Sequence, residues 1–204
     1  MTPRRVFLLS PASTTGKRAL ILLREEARFE LALAVRSREG APLGEVFAFL
    51  SGLYFRGKLA YARRFAPEAT YVITASAGLV SPDARVRRAD LRRHARVSID
   101  ASARAFRRPL ERDARRLRRE LDPEDEVVLL GSIATDKYVA TLLEAFGPRL
   151  LFPPDFVGRG DMSRGGLLLR AARAGRELPY APVAGAVRHG KRPPKLDPAT
   201  RVRE

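Results

Sequence analysis

The chain has 204 residues, is 45% hydrophobic and contains no cysteine, which predicts one domain, or one domain with a tail, and excludes disulfides, thiolate catalysis and Cys-ligated zinc. No run of about 18 apolar residues is present, so no membrane span is expected. Ser10-Pro11 cuts the first apolar run too early for a secretory segment, which points to a cytoplasmic protein. Lys and Arg number 39 against 23 Asp and Glu, a net charge of +16 carried mostly by arginine, and such an excess predicts a polyanionic partner.

Val6–Leu9 reads as a short strand that opens into the small polar loop SPASTTGKR, with a helix starting near Lys17. Gly16-Lys17 has the end of a phosphate-loop motif, but the first glycine is missing and Arg18 replaces the hydroxyl residue, so no nucleotide triphosphate site is expected. Residues 20–37 mix apolar and charged side chains and read as helix, with a strand over Phe29–Val35. Val46–Leu50 reads as a buried strand or a helix start, followed by Ser51-Gly52, and Leu59–Phe65 as one or two helical turns. Tyr71–Thr74 is β-branched and aromatic and predicts a strand, which runs into Ala75–Asp83.

Between Arg85 and Arg119 there are 14 arginines against four acids, Asp90, Asp100, Glu111 and Asp113. Ile99, Ala103, Phe106, Leu110, Ala114, Leu117 and Leu121 recur at helical steps, which predicts an amphipathic helix. Arg104, Arg108, Arg112, Arg115 and Arg119 fall on the opposite face, suited either to solvent or to tracking phosphates. Pro109 is expected to kink or split this helix.

Glu126–Leu130 predicts a buried strand and Lys137–Phe146 a helix stopped by Gly147-Pro148. Arg149–Phe152 predicts another strand. Phe156–Arg170 then turns through glycines and arginines into a last helix over Met162–Ala174, capped by Gly175, with an edge strand at Leu178–Tyr180. A turn of this kind leaves free N–H groups at the positive end of a helix, which suits a phosphate, with Arg159 and Arg164 adding donors. From Gly185 the chain is basic and proline-rich and reads as a disordered tail over 185–204, leaving one α/β domain over 1–184 with an arginine-rich helical segment at 85–121.

The fold class expected is α/β: a mixed sheet flanked by helices, whose strand-end loops form a basic cleft. Four strands end in such loops, at Ser10-Pro11-Ala12, Ser51-Gly52, Ser76-Ala77-Gly78 and Gly131-Ser132. The order and wording of these loops resemble the YaaA-like peroxide-stress proteins. Leu9-Ser10-Pro11-Ala12-Ser13 is similar to their SPAK-type loop, and Leu53-Tyr54-Phe55-Arg56-Gly57 to their tyrosine-glycine segment. Ser76–Asp83 looks like a short form of their middle loop, Gly131–Tyr138 like their later helix start, and Gly160-Asp161-Met162-Ser163-Arg164 like their G-x-M-S-R helix. The matches cover about residues 6–172 in order. Ser13 stands where the family's first loop has lysine, and Ala84–Arg88 replaces its Q-P-Y-R segment. The resemblance implies a mixed α/β fold, DNA binding through a basic cleft, protection from oxidative DNA damage, and a hairpin role for Val157-Gly158-Arg159-Gly160 in reaching backbone phosphate.

The leading expectation is therefore a DNA-binding protein that contacts the phosphate backbone, duplex rather than single strand because stacking aromatics are sparse. The phosphate-binding candidates are Ser10, Lys17, Lys58, Gly158, Arg159, Gly160, Ser163, Arg164, Arg104, Arg108, Arg112 and Arg115. The alternative is a DNA-base or nucleotide-directed hydrolase of N-glycosylase type in the same cleft. There Asp136 or Asp83 would be the base, with Ser76 or Tyr138 orienting substrate, although either acid also suits a cap or a turn. RNA is a third candidate partner. His94 and His189 read as surface residues, and no metal or cofactor is expected, since no ligand spacing is present.

Overall fold

The computed structural model describes residues 4–194 and 196. Two apolar runs set its centre. Strand β1 (Arg5–Leu9) and strand β6 (Glu126–Leu130) lie side by side and parallel, Phe7 opposite Val128 and Leu9 opposite Leu130. Every residue from Val6 to Leu9 and from Val127 to Leu130 is buried, so both faces of these strands are covered. Continuous rather than alternating hydrophobicity is what a parallel strand between two helical layers requires. β3 (Thr70–Thr74) pairs parallel with β1 on its other side, and β7 (Leu150–Phe152) pairs parallel with β6. Short antiparallel strands close the edges, β4 (Gly78–Val80) on β3 and β8 (Ala181–Pro182) on β7. The sheet order is β4-β3-β1-β6-β7-β8. β2 (Ala41–Pro42) and β5 (Arg85–Val86) form a separate antiparallel pair.

Helices cover both faces. On one lie α1 (Lys17–Leu23), α2 (Glu30–Arg36), α3 (Leu43–Ser51), α4 (Leu53–Phe65), α5 (Arg88–Ala95) and α8 (Asp161–Ala174), packed through Phe7, Leu9, Val72, Val128 and Leu130. On the other lie α6 (Arg104–Glu120) and α7 (Asp136–Phe146), packed on Val6, Leu8, Ile73, Val127 and Leu129. This is the α/β class and mixed sheet expected from the sequence. Among the described residues no helix is long and apolar enough to cross a membrane.

Several elements differ from expectation. Phe29–Val35 is not a strand: α2 covers it, because Ala32 and Val35 bury one helical face and Arg36 folds back onto the Ala32 carbonyl. Val46–Leu50 takes the helical of its two readings, inside α3, so Ser51-Gly52 is a helix–helix corner and not a strand end, with Gly52 at φ 64°. The edge strand expected at Leu178–Tyr180 lies instead at Ala181–Pro182, β8. Pro109 neither splits nor ends α6, which runs as one helix. The missing Pro109 N–H removes one bond, and burial of Phe106, Leu110, Ala114 and Leu117 on one stripe outweighs it. α6 also holds the sheet edge: buried Asp113 accepts the Leu79 N–H at 3.1 Å.

The closest helix pair is α4 against α8. A Cβ on Gly57 would lie 2.6 Å from the Gly165 carbonyl oxygen, and one on Gly165 would lie 2.6 Å from the Leu53 carbonyl oxygen. Two glycines thus let the backbones touch, and this sets Tyr54 and Lys58 beside Arg164 and Asp161. Residues 185–194 carry no helix or strand, and Arg188 pairs with Asp136. Of the tail expected to be disordered, residues 195 and 197–204 lie outside the described residues.

Candidate functional site

β1 leads by helices to β3 on one side, and the chain then crosses to β6 on the other. The loops leaving β1 and β6 therefore diverge, and at such a switch point an α/β sheet leaves a crevice at its carboxyl edge. A cavity of about 940 Å³ occupies it. Its walls are the β1 loop from Ser10 to Thr15, the corner at Leu50, Ser51 and Tyr54, the stretch from His94 to Ile99, and Ser132, Thr135, Lys137, Tyr138 and Asp161. Hydroxyl groups dominate this lining.

At its floor lies Ser10, the first residue after β1, 6% exposed. The Lys58 ammonium donates to the Ser10 carbonyl at 2.7 Å and reaches the Ser10 hydroxyl at 2.9 Å. Lys58 is 1% exposed and sits 4.3 Å from the ring centre of Tyr54 and 4.8 Å from that of Phe55. No carboxylate forms an ion pair with it among the described residues. Burial pushes its pKa down to about 7; Asp161 opposes the shift and Arg164 adds to it. Beside Ser10, the Tyr138 hydroxyl donates to the Ser132 carbonyl at 2.9 Å, and burial raises its pKa. Gly131 makes this arrangement fit, since a Cβ there would lie 2.8 Å from Ser10 Cβ and 3.0 Å from the Tyr138 oxygen. The Tyr54 hydroxyl is buried with no hydrogen-bond partner among the described residues, and burial raises its pKa, with Arg164 opposing.

His94 is a correction to the sequence reading. It is 4% exposed, faces the cavity, and its Nδ1 shares a 2.7 Å hydrogen bond with the Ser76 hydroxyl. Burial lowers its pKa, with Asp90 opposing and Arg93 adding. Ser76 itself lies in a second concavity, formed with Arg104, Arg108, Pro109 and Arg112 of α6. A third groups Arg88, Arg92, Arg93 and Arg96 around α5. Arg93 pairs with Asp90 at 3.5 Å, and Arg112 with Asp113 at 2.8 Å. Arg92, Arg96, Arg104, Arg108 and Arg115 are exposed and form no ion pair among the described residues.

The structure brings Ser10, Lys58 and Tyr138 together and sets Ser76 in a neighbouring concavity, hydrogen-bonded to His94 of the cavity wall. It does not gather the rest of the candidates there. Asp136 opens α7, is exposed, and is ion-paired with Arg188 outside the cavity lining. Asp83 is exposed and paired with Arg63 at 2.6 Å. Lys17 opens α1 in solvent. Lys58, expected at a phosphate, spends its donors inside the fold. The glycine–arginine turn is likewise engaged by the chain itself. Arg159 donates to the Asp155 carbonyl at 2.9 Å, the Ser163 hydroxyl at 3.2 Å and the Pro194 carbonyl at 3.4 Å. Arg164 donates to the Phe156 carbonyl at 3.1 Å and pairs with Asp161 at 3.4 Å. Gly158, at φ 73°, is backed by residues 190–191, where a Cβ would lie 2.2 Å from the Lys191 carbonyl oxygen. Gly160 caps α8 with open space beside it, and Asp161 occupies the first turn.

Sequence reasoning missed His94 and the burial of Lys58. The signal for His94 was its three-residue step from Leu91, which puts both on the buried face of α5. Among the described residues no cluster of three or more His, Asp or Glu is placed to hold a metal ion. Compared with protein-family models, curated proteins and solved structures, the chain matches none.

Proposed function

We propose that this is a DNA-binding protein of the YaaA-like type, acting in the cytoplasm, that grips the phosphate backbone of duplex DNA and protects it from oxidative damage. The observation that carries the reading is the set of exposed arginines without acid partners among the described residues, Arg92 and Arg96 on and just after α5 and Arg104, Arg108 and Arg115 on α6. An arginine face so short of acids favours polyanion contact over mere solvation, and phosphate contacts fix position without reading sequence. The turn at Gly158–Arg164 contributes less than its sequence suggests, because its guanidinium groups already bond the chain's own carbonyls.

The test is a fluorescence-anisotropy titration with two unrelated duplexes across salt concentrations. Affinity should fall steeply with salt and differ little between the duplexes. Replacing Arg104 and Arg108 with alanine should lower the log–log salt slope by roughly 2, one released counterion per lost contact. Absent binding, or binding indifferent to salt, sinks the reading. The hydroxyl-lined cavity favours a second reading, a hydrolase that takes a DNA base or nucleotide into the switch-point crevice. Chromatography of the same mixtures for a released base tests it, and no release at enzyme excess over duplexes with modified bases removes it.

A further inference from the structure

Ser10 and Lys58 hold an arrangement that neither reading above uses. The amine is fixed from one side by the Ser10 carbonyl, at 2.7 Å. Its second hydrogen-bond contact is the Ser10 hydroxyl oxygen at 2.9 Å. A neutral amine in this position donates one N–H to the carbonyl and turns its lone pair to the hydroxyl, so it accepts the serine proton. The groups around it favour neutrality. Tyr54 and Phe55 press rings against it from α4, Arg164 adds positive charge from α8, and Tyr138 on α7 offers only a hydroxyl near Ser10. Asp161 is the single opposing charge, and it is exposed. Burial accordingly brings the lysine to about 7, where half of it is neutral near neutral pH.

Ser10 also faces a place where a substrate fits. It ends the central strand at the switch point and borders the 940 Å³ cavity. Gly131 leaves room beside it, and the amino end of α7, with Lys137, points positive charge into the same space. Tyr54, one turn before Lys58 on α4, borders the same cavity with its ring packed on the amine.

We propose that Ser10 and Lys58 form a serine–lysine pair that makes this cavity an acyl-transfer site, Ser10 being the nucleophile toward an ester carbonyl and Lys58 the base that takes its proton. The Ser10 O–H bond breaks as its oxygen bonds the carbonyl carbon, and the proton moves to Lys58. The ester C–O bond then breaks, and the leaving alkoxide takes that proton from Lys58. Water attacks the acyl-serine next, gives its proton to Lys58, and the acid leaves as Ser10 regains its hydrogen. This site stands independently of DNA binding, so either proposal survives failure of the other.

The test uses the full chain without nucleic acid and diisopropyl fluorophosphate as probe. Here the serine oxygen bonds phosphorus, fluoride departs and Lys58 takes the proton. Intact mass and peptide mapping should show one adduct, on Ser10, forming at a rate that rises with pH through about 7. Ser10→Ala should abolish it, and Lys58→Met should slow it by about 100-fold or more. Should Lys58→Met fail to fold, the wild-type pH profile decides alone. No adduct between pH 6 and 9, an adduct on another hydroxyl, or a rate independent of pH would overturn the pair.

Discussion

Gly165→Ala isolates the contact on which the cavity wall depends. In a free helix the change is favourable, because alanine exceeds glycine by about 1 kcal/mol in a helix interior. Here the new Cβ would sit 2.6 Å from the Leu53 carbonyl oxygen and 2.8 Å from Tyr54 Cα, both backbone atoms that no rotamer change can move. α4 and α8 must part by several tenths of an ångström, and overpacking of this kind costs about 1–3 kcal/mol or more. Clash should exceed propensity, leaving a net loss on the order of 1–2 kcal/mol. Gly166→Ala, one residue along the same helix, is the internal control: among the described residues its Cβ would meet only a Leu196 methyl at 3.4 Å. That variant should be neutral or more stable by up to about 1 kcal/mol. Urea unfolding followed by circular dichroism compares the two midpoints. If both variants move in the same direction by similar amounts, helix contact is not what Gly165 serves.

Two further outcomes follow from buried groups. The folded pKa of Lys58 near 7 lies below its ordinary 10.5, so between these values the unfolded chain holds a proton that the folded one has released. Stability should therefore rise with pH from about 7 toward 10, and the penalty below 7, on the order of a few kcal/mol, should be constant. Lys58→Met removes this dependence, so wild type should gain stability relative to the variant as pH climbs from 6 to 9.5 in urea melts; a pH-independent difference contradicts the burial argument. Asp113→Ala strands the Leu79 N–H and should cost about 2 kcal/mol, whereas Asp113→Asn keeps an acceptor and should cost less. Hydrogen exchange at Leu79 reads this directly, and unchanged protection in the alanine variant would refute it.

The elements that could be read from sequence were those with an unambiguous period or a long apolar run. α7 and α8 fall close to expectation because their apolar residues keep a helical step, and β1, β3 and β6 because short apolar runs containing β-branched residues are bounded by turn residues. α2 and α3 did not, since five or six apolar residues with small neighbours fit a strand as well as a helix, and only packing selects. At the site, Ser10 and Tyr138 were legible as residues at strand-end loops. Lys58 was named as a candidate, but its burial was not legible, because it depends on Gly57 meeting Gly165 more than a hundred positions later. Arg159 and Arg164 had the right chemistry for phosphate, yet their acceptors are carbonyls four and eight residues back, visible only once the chain path is known. Asp136 finds Arg188 by a similarly remote route.

The two borders of the sheet bear on how copies of this molecule meet. β8 is two residues long and contains Pro182, which has no N–H to offer a newcomer. β4 is three residues long and runs beside the arginine-bearing α6. Neither border offers a template long enough for another strand to extend, and the charge beside β4 repels an identical molecule. Crowding copies of the protein together therefore does not invite their sheets to fuse.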